Sequence, residues 1–160
     1  MTKRLTAARL RELLHYDPET GVFRHIAPRQ GIIAGSVAGS LGTNGYRKHR
    51  MDGETHSGHR LAWLYMTGEW PKFEIDHING DRADNRFANL RDVPGRVNRQ
   101  NMRRALGKVG LLGVCRHRDV FRAEIGIDNK AIRLGTFKTP EEAHEAYLKA
   151  KRQLHEGCTI

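Results

Sequence analysis

Residues 74–90 read EIDHINGDRADNRFANL. An Asp-His pair at 76 and 77 runs directly into Asn79-Gly80, and Asn85 and Asn89 follow. Asn, Asp and Gly favour turns through their own backbone conformations, so Asn79 and Asn85 read first as turn residues. On either side the text changes. Residues 73–77, FEIDH, and residues 89–93, NLRDV, read as two short strands, and a polar helix is predicted from about Gly95 to Ala105. The order is strand, loop, strand, helix. Neighbours on a regular strand face opposite ways, so Asp76 and His77 can serve one site only where the strand ends or bends. Asn79-Gly80 supplies that bend.

A hard divalent cation takes oxygen ligands, and Mg²⁺ at a phosphate commonly takes one or two from the protein and the rest from water and substrate. Asp76 offers one such oxygen. Asn98 offers a second if the helix packs back over the two strands, and Asn101, nearly one turn later, competes for that place. His77 is then left as a base, because an imidazole with an ordinary pKa of about 6.5 is available in its neutral form near pH 7.

The whole chain narrows the partner. Its 160 residues carry a net charge of +10 and a sequence pI of about 10.1. Such an excess predicts a polyanionic partner, nucleic acid before an anionic membrane. No long apolar run, signal-like segment or bulky basic amphipathic helix supports the membrane. An apolar fraction of 38% suits small modules rather than one large core. Cys115 and Cys158 lie far apart without CxxC spacing, so neither a zinc knuckle nor a disulfide framework is signalled, and a soluble chain in a reducing, cytoplasmic setting is expected. His49, His56 and His59 sit in a hairpin-like stretch without companion cysteines, which argues against a metal site there.

Along the chain, residues 5–15 predict a helix capped by Thr6, with Leu10, Leu13 and Leu14 as its stripe. From Val22 to about Trp70 short strands and hairpins are punctuated by glycine, the last segment, HRLAWLYMTG, having helical character. Near the C-terminus, Phe121, Ala123, Ile125 and Ile127 alternate with Arg122, Glu124 and Gly126, and Ile132 and Leu134 flank Arg133, a period of two that marks half-buried strands. Asp128-Asn129 turns between them, and Val114 with its neighbours gives a third strand. Thr139-Pro140-Glu141-Glu142 opens a helix with a capping box, and Ala143, Ala146, Tyr147, Ala150 and Leu154 form its apolar stripe. The expected architecture is a three-stranded antiparallel sheet under one helix.

Residues 59–101, from HRLAW through DHINGDRADNRFANLR to VNRQN, resemble an HNH endonuclease of the phage or homing type. The resemblance implies a ββα-metal element, with Asp76 and Asn98 as metal ligands, His77 as general base, and Asn89 holding the loop and orienting the base. It implies Mg²⁺, or Mn²⁺, as the cofactor and no small-molecule cofactor. Asn79 and Asn85 compete with Asn89 for its role, and His59 reads as a packing residue. Pro94 stands where such sequences often carry a capping Thr.

Residues 110–157, through GVCRH, FRAEIGI, IRLGTF and the final helix, resemble an AP2-type DNA-binding domain, whose exposed sheet face enters the major groove. That implies base contacts from Arg122, Glu124 and Arg133, with Arg116 and Arg118 in the turn nearby. Between Arg96 and Arg122 stand eight Lys or Arg and one acidic residue, Asp119; Arg96, Arg99, Arg103 and Arg104 extend the basic block to the predicted polar helix. The competing view of this face is a solvated sheet surface. Tyr46, Arg47, Lys48, His49 and Arg50 are further phosphate contacts or a solvated run.

The whole is therefore an expected α+β chain: a leader at 1–58, a nuclease element at 59–107 and an AP2-like module at 108–160 acting on double-stranded DNA. The rival is a DNA-binding protein with a decayed nuclease site, for which Pro94 is the hint. RNA binding comes third, since 7% aromatic residues give little to stack on unpaired bases.

Overall fold

The Thr6 hydroxyl accepts from the Arg9 amide at 3.2 Å and starts α1 (Ala7–Leu13). A computed structural model of the chain describes residues 4–29, 31–103, 105, 107, 109–128 and 130–160. Helices alternate with small antiparallel sheets in two compact units, Met1–Pro94 and Gly95–Ile160. The break falls between Pro94 and Gly95, so the short helix that follows the NLRDV strand belongs to the second unit. Among the described residues, no helix is long and apolar enough to cross a membrane.

In the first unit, α1 stops two residues short of the predicted end, and the chain passes directly into β1 (Leu14–Asp17), paired with β2 (Val22–His25). The reason is Tyr16. Extended backbone turns Leu14 and Tyr16 inward together, and Tyr16 stacks on Phe23 with ring centroids 4.7 Å apart. Asp17 closes the hairpin by accepting from the Glu19 and Thr20 amides, and Gly21 takes φ +71. A side chain at Gly21 would stand 2.5 Å from the Arg86 backbone nitrogen, so the hairpin turn is seated directly on the loop that carries Asn85.

A second sheet, in the order β3-β4-β5, follows from β3 (Ser40–Leu41), β4 (Arg47–Met51) and β5 (Glu54–Ser57). HRLAWLYMTG is a helix, α2 (Gly58–Thr67), because Leu61, Ala62 and Leu64 fall on one buried side; Gly68 ends it in the left-handed region. The strands around the Asp-His pair are β6 (Glu74–His77) and β7 (Leu90–Val93), antiparallel with Asp76 opposite Arg91 and His77 opposite Leu90. Asp92 fixes the entry to β6 by accepting from the Lys72 and Phe73 amides, each at 2.8 Å. Leu10, Leu14, Phe23, Leu61, Leu64, Ile75 and Leu90 fill the core behind these elements.

The second unit opens with α3 (Gly95–Gln100), five residues shorter than predicted. It ends where Gln100 and Asn101 turn to the C-terminal segment: the Gly157 amide donates to Gln100 Oε1 at 3.0 Å, and the Thr159 hydroxyl bonds Asn101 Oδ1. Next come β8 (Val114–His117), β9 (Val120–Ile127) and β10 (Lys130–Phe137), in the order β10-β9-β8. The helix α4 (Pro140–Leu154) has the predicted capping box between Thr139 and Glu142. Its Ala143, Tyr147 and Ala150 bury Val114, Ala123 and Ile125.

Three details depart from the alternation. Ile132 is 44% exposed although it pairs with the buried Ile125, since β10 is the edge strand, and a register shift between Arg133 and Gly135 breaks the period. Leu154 is 49% exposed at the helix end, while Lys151 is buried and donates to the Met102 carbonyl at 2.6 Å. Arg116 lies within β8 rather than in a turn, opposite Phe121. The turn of Asp128 carries φ 47 there; its neighbour Asn129 lies outside the described residues.

Val97 on α3 is buried, and its carbonyl lies where a Gly157 side chain would have to stand. Burying such a side chain is worth roughly 1.5–3 kcal/mol. A fragment of residues 95–160 should therefore resist urea better than one of residues 108–160, by about 2 kcal/mol. Equal midpoints would mean that α3 contributes nothing to this unit.

Candidate active site

Strand β6 ends at His77, and the turn begins at once: the Gly80 amide donates to the His77 carbonyl at 2.8 Å. The loop from 78 to 89 is then tied by its own amides. Asn89 Oδ1 accepts from the Asn79 amide at 2.9 Å, and Asn89 Nδ2 donates to Asn79 Oδ1 at 3.0 Å and to the Asp84 carbonyl at 2.9 Å. Asn79 Nδ2 donates in turn to Asp84 Oδ2 at 2.7 Å. Asp84 also receives the Arg86 guanidinium, which holds its carboxyl down at about 2. A short 3-10 turn, Phe87–Asn89, returns the chain to β7.

Within this frame Asp76 and His77 are both nearly enclosed, at 5% and 4% exposure. A buried carboxylate needs a counter-charge, and Arg91, its partner across the hairpin, brings two nitrogens to Asp76 Oδ2 at 2.8 and 2.7 Å. The His77 ring sits 5.2 Å edge-on from the His59 ring and 5.9 Å from Tyr46. Its Nε2 lies 3.1 Å from Asn85 Oδ1. Asn85 Oδ1 is thus in contact with the imidazole, while Asn89 ties the loop.

Asn85 is 1% exposed and is itself fixed through its backbone. The buried Tyr16 hydroxyl donates to its carbonyl at 2.6 Å, and the Phe87 amide donates to the Pro18 carbonyl at 3.1 Å. Sequence reasoning assigned Asn85 to turn chemistry and passed over Arg91. The signals were the 15-residue offset that puts Arg91 opposite Asp76 once the two strands pair, and the DN dipeptide just before the loop's return.

The remaining predicted residues are placed as follows. Asn98 lies on α3 in the second unit, half-buried. Arg96, Arg99 and Arg103 are exposed there, Arg96 pairing with Glu156 at 3.3 Å and Arg103 bonding the Thr159 carbonyl at 2.9 Å. Arg104 lies outside the described residues. On the sheet, Arg122 and Glu124 alternate with the buried Ala123 and Ile125, and Arg133 stands opposite Glu124, so these three share the face away from α4. Arg116, opposite Phe121, points the other way along the alternation; Arg118 is exposed in the following turn. In the first unit His49 is not a phosphate contact: it is 2% exposed and packs edge-on against Phe23 at 5.0 Å.

Among the described residues, no group of three or more His, Cys, Asp and Glu side chains comes together. A zinc-type cage therefore does not fit this donor set. A hard cation that takes one carboxylate oxygen and leaves other positions to amide, water and phosphate does fit a site built on Asp76.

Residues 57–101 match the sequence model of the family described as HNH endonuclease. They are similar to nucleases that act on DNA with a divalent metal ion, and the matched stretch includes α2, β6, β7 and α3. No curated protein and no solved structure matches the chain.

Burial also shapes the histidines around the site. It pushes His59 down to about 3, helped by the charge of His77, and His49 down to about 4, helped by Arg47. Unfolded, each returns to about 6.5. Between those values the unfolded chain binds protons that the folded chain does not, so stability is full above about pH 6.5 and is lost as the pH falls toward 4. Each such histidine contributes a slope of about 1.4 kcal/mol per pH unit. Trp63 and Trp70 are the only tryptophans, and both lie in the first unit. Their fluorescence in urea should show it weakening from pH 6.5 to 4.5, and His49→Leu should remove one histidine's share of the slope.

Proposed function

We propose that this protein is a metal-dependent endonuclease of the HNH type that hydrolyses phosphodiester bonds of duplex DNA, with the second unit gripping the duplex. The observation that carries the reading is the Asp76-His77 pair, enclosed at the end of a strand and braced by an amide-tied loop, within a stretch that matches the HNH family. His77 takes the proton from the attacking water. Asp76 would hold the metal, with Asn98 as the second ligand that the resemblance implies. Asn101, whose Oδ1 bonds the Thr159 hydroxyl, is the alternative second ligand. When bound, the cation stabilises the charge that builds on the phosphate and the leaving oxygen. The chain's own share is to hold the acceptor nitrogen, present the carboxylate and enclose both.

The DNA grip is the basic second unit, where residues 95–160 contain fourteen Lys and Arg against seven acidic residues. The three-stranded sheet under one helix, with Arg122, Glu124 and Arg133 on its outer face, supports an AP2-like module over residues 108–160. Arginine pairs bidentately with guanine in the major groove and a carboxylate accepts from cytosine. One observation favours the rival, a DNA-binding protein without cleavage: the Arg91 guanidinium already neutralises Asp76.

Plasmid nicking with and without Mg²⁺ separates the two. The parent should cut only with the metal. His77→Ala should abolish cutting while duplex binding stays within a few-fold. Asp76→Ala and Asn98→Ala should each lose activity that excess Mg²⁺ or Mn²⁺ restores only in part. If Asn101→Ala does more damage than Asn98→Ala, the ligand assignment is wrong.

The sheet face makes a separate prediction. Replacing Arg122 and Arg133 by Ala should narrow the difference between specific and random duplexes by roughly 1–3 kcal/mol for each bidentate arginine–base pairing removed. An equal weakening on both duplexes would reduce this face to a backbone grip, and unchanged binding would return it to a solvated surface.

A further inference from the structure

We propose that Ile33 is an apolar contact to the bases of the duplex that enters the His77 site, carried on a cationic surface formed by residues 24–41 of the first unit. The claim goes beyond the nuclease reading and rests on it for the choice of partner.

The sequence supplies the charge. From Thr20 to Met51 there is no Asp or Glu, while Arg24, Arg29, Arg47, Lys48 and Arg50 are all cationic. Asp52, the first acidic residue after that run, is already held by the Arg9 guanidinium. Four large apolar side chains, Ile26, Ile33, Val37 and Leu41, nevertheless stand exposed within the run, Ile33 at 77%. Single exposed apolar residues are ordinary, but a group of them marks a docking surface. Two of the four stand directly opposite arginines: Val37 is bridged to Arg24, and Leu41 pairs with Arg47.

The backbone beneath Ile33 is fixed. Arg29 and Ile32 exchange backbone hydrogen bonds at 3.1 and 2.7 Å. The Ser36 amide and hydroxyl both donate to the Ile33 carbonyl, at 3.1 and 2.6 Å. Within that turn Gly35 takes φ +80, the positive value that favours glycine. Its amide donates to the His25 carbonyl at 2.7 Å, and its carbonyl accepts from Arg24 Nη1 at 3.0 Å. A turn tied in this way gives up little backbone freedom on docking.

An arginine beside an open apolar side chain suits a ligand with an anionic exterior and an apolar interior. Duplex DNA and an anionic lipid layer both have that character. Position decides for DNA. Strand β3 leads from this surface into a turn closed by the Gly42 amide on the Tyr46 carbonyl at 2.8 Å. The Tyr46 ring lies 5.9 Å from the His77 ring. Arg82, from the loop after β6, lies over Tyr46 at 5.1 Å and donates to the Asn44 carbonyl at 3.1 Å. The surface is therefore continuous with the strand and loop of the candidate active site. Charge argues against a second copy of the chain as the partner, since two such faces would repel.

Binding of the full-length protein to a fluorescein-labelled, mixed-sequence duplex tests this, in EDTA so that nothing is cut and across a series of salt concentrations. Ile33 is open to solvent, so Ile33→Ser leaves the fold intact. That variant should bind about tenfold more weakly, the order expected when an apolar side chain loses its burial. The slope of log K against log salt should not change, because isoleucine neutralises no phosphate. Arg29→Ala should instead flatten the slope by about 0.9.

Binding by Ile33→Ser that equals the parent's, or a loss accompanied by a flatter slope, overturns the proposal. So does a variant that keeps its duplex affinity but loses binding to vesicles of phosphatidylglycerol and phosphatidylcholine, which would make the surface a lipid contact. Kept duplex affinity with loss of a parental dimer in sedimentation would make it an interface between copies, and overturns it equally. A parent that binds duplex through Ile33 yet never cuts it with Mg²⁺ leaves the contact intact and refutes the nuclease reading. A parent that cuts, with Ile33→Ser binding and cutting equally well, does the reverse.

Discussion

Neighbouring side chains on a strand point to opposite faces, and that constraint governs the Asp76-His77 pair. Asp76 faces across its own hairpin to Arg91, while His77 turns toward Asn85, Tyr46 and His59. In the proposed reading both serve one site, which requires that β6 end at His77 and the chain fold over immediately, as it does. Everything around the loop serves that sharp ending. Asn89 and Asn79 exchange hydrogen bonds across it, Asp84 gathers the Asn79 amide and the Arg86 guanidinium, and Gly80 closes the first turn on the His77 carbonyl.

Such a loop would be costly to hold by propensity alone, since each ordered residue gives up roughly 1–2 kcal/mol of backbone entropy. Two devices offset that. One is the network of side-chain amides, whose members satisfy one another and so fix one geometry. The other is the β1–β2 hairpin, which reaches the loop through Tyr16, Pro18 and Gly21. Helix α1 and the β1–β2 hairpin are therefore part of the site's scaffold, and their apolar residues Leu10, Leu14 and Phe23 share one core with Ile75 and Leu90.

Much of this was legible in the sequence where local rules decide. The capping box at Thr139, the alternation through β9 and the two strands around the Asp-His pair are each written within a few residues, and each is present. What escaped depends on distance along the chain. Tyr16 meets Asn85 across 69 positions, and no local pattern announces it. Asn85 looked like a turn residue because turns and buried amides that contact other side chains use the same residue type. Lys151 sits in an apolar stripe where a charge is unexpected, satisfied by the Met102 carbonyl, a partner that only packing reveals. Helix α3 is shorter than its sequence suggests because its exit is set by the C-terminal segment rather than by its own residues.

The central proposal is that a divalent cation binds at Asp76, beside His77, with Asn98 as the second ligand that the family resemblance implies. Mn²⁺ titrated into the isotopically labelled, full-length protein with a short duplex present tests it most directly, because the paramagnetic ion broadens nearby resonances. The account predicts that the signals of Asp76, His77 and Asn98 broaden first, and that Asp76→Ala abolishes the effect at all three. Broadening that begins elsewhere, or that survives Asp76→Ala, would contradict it.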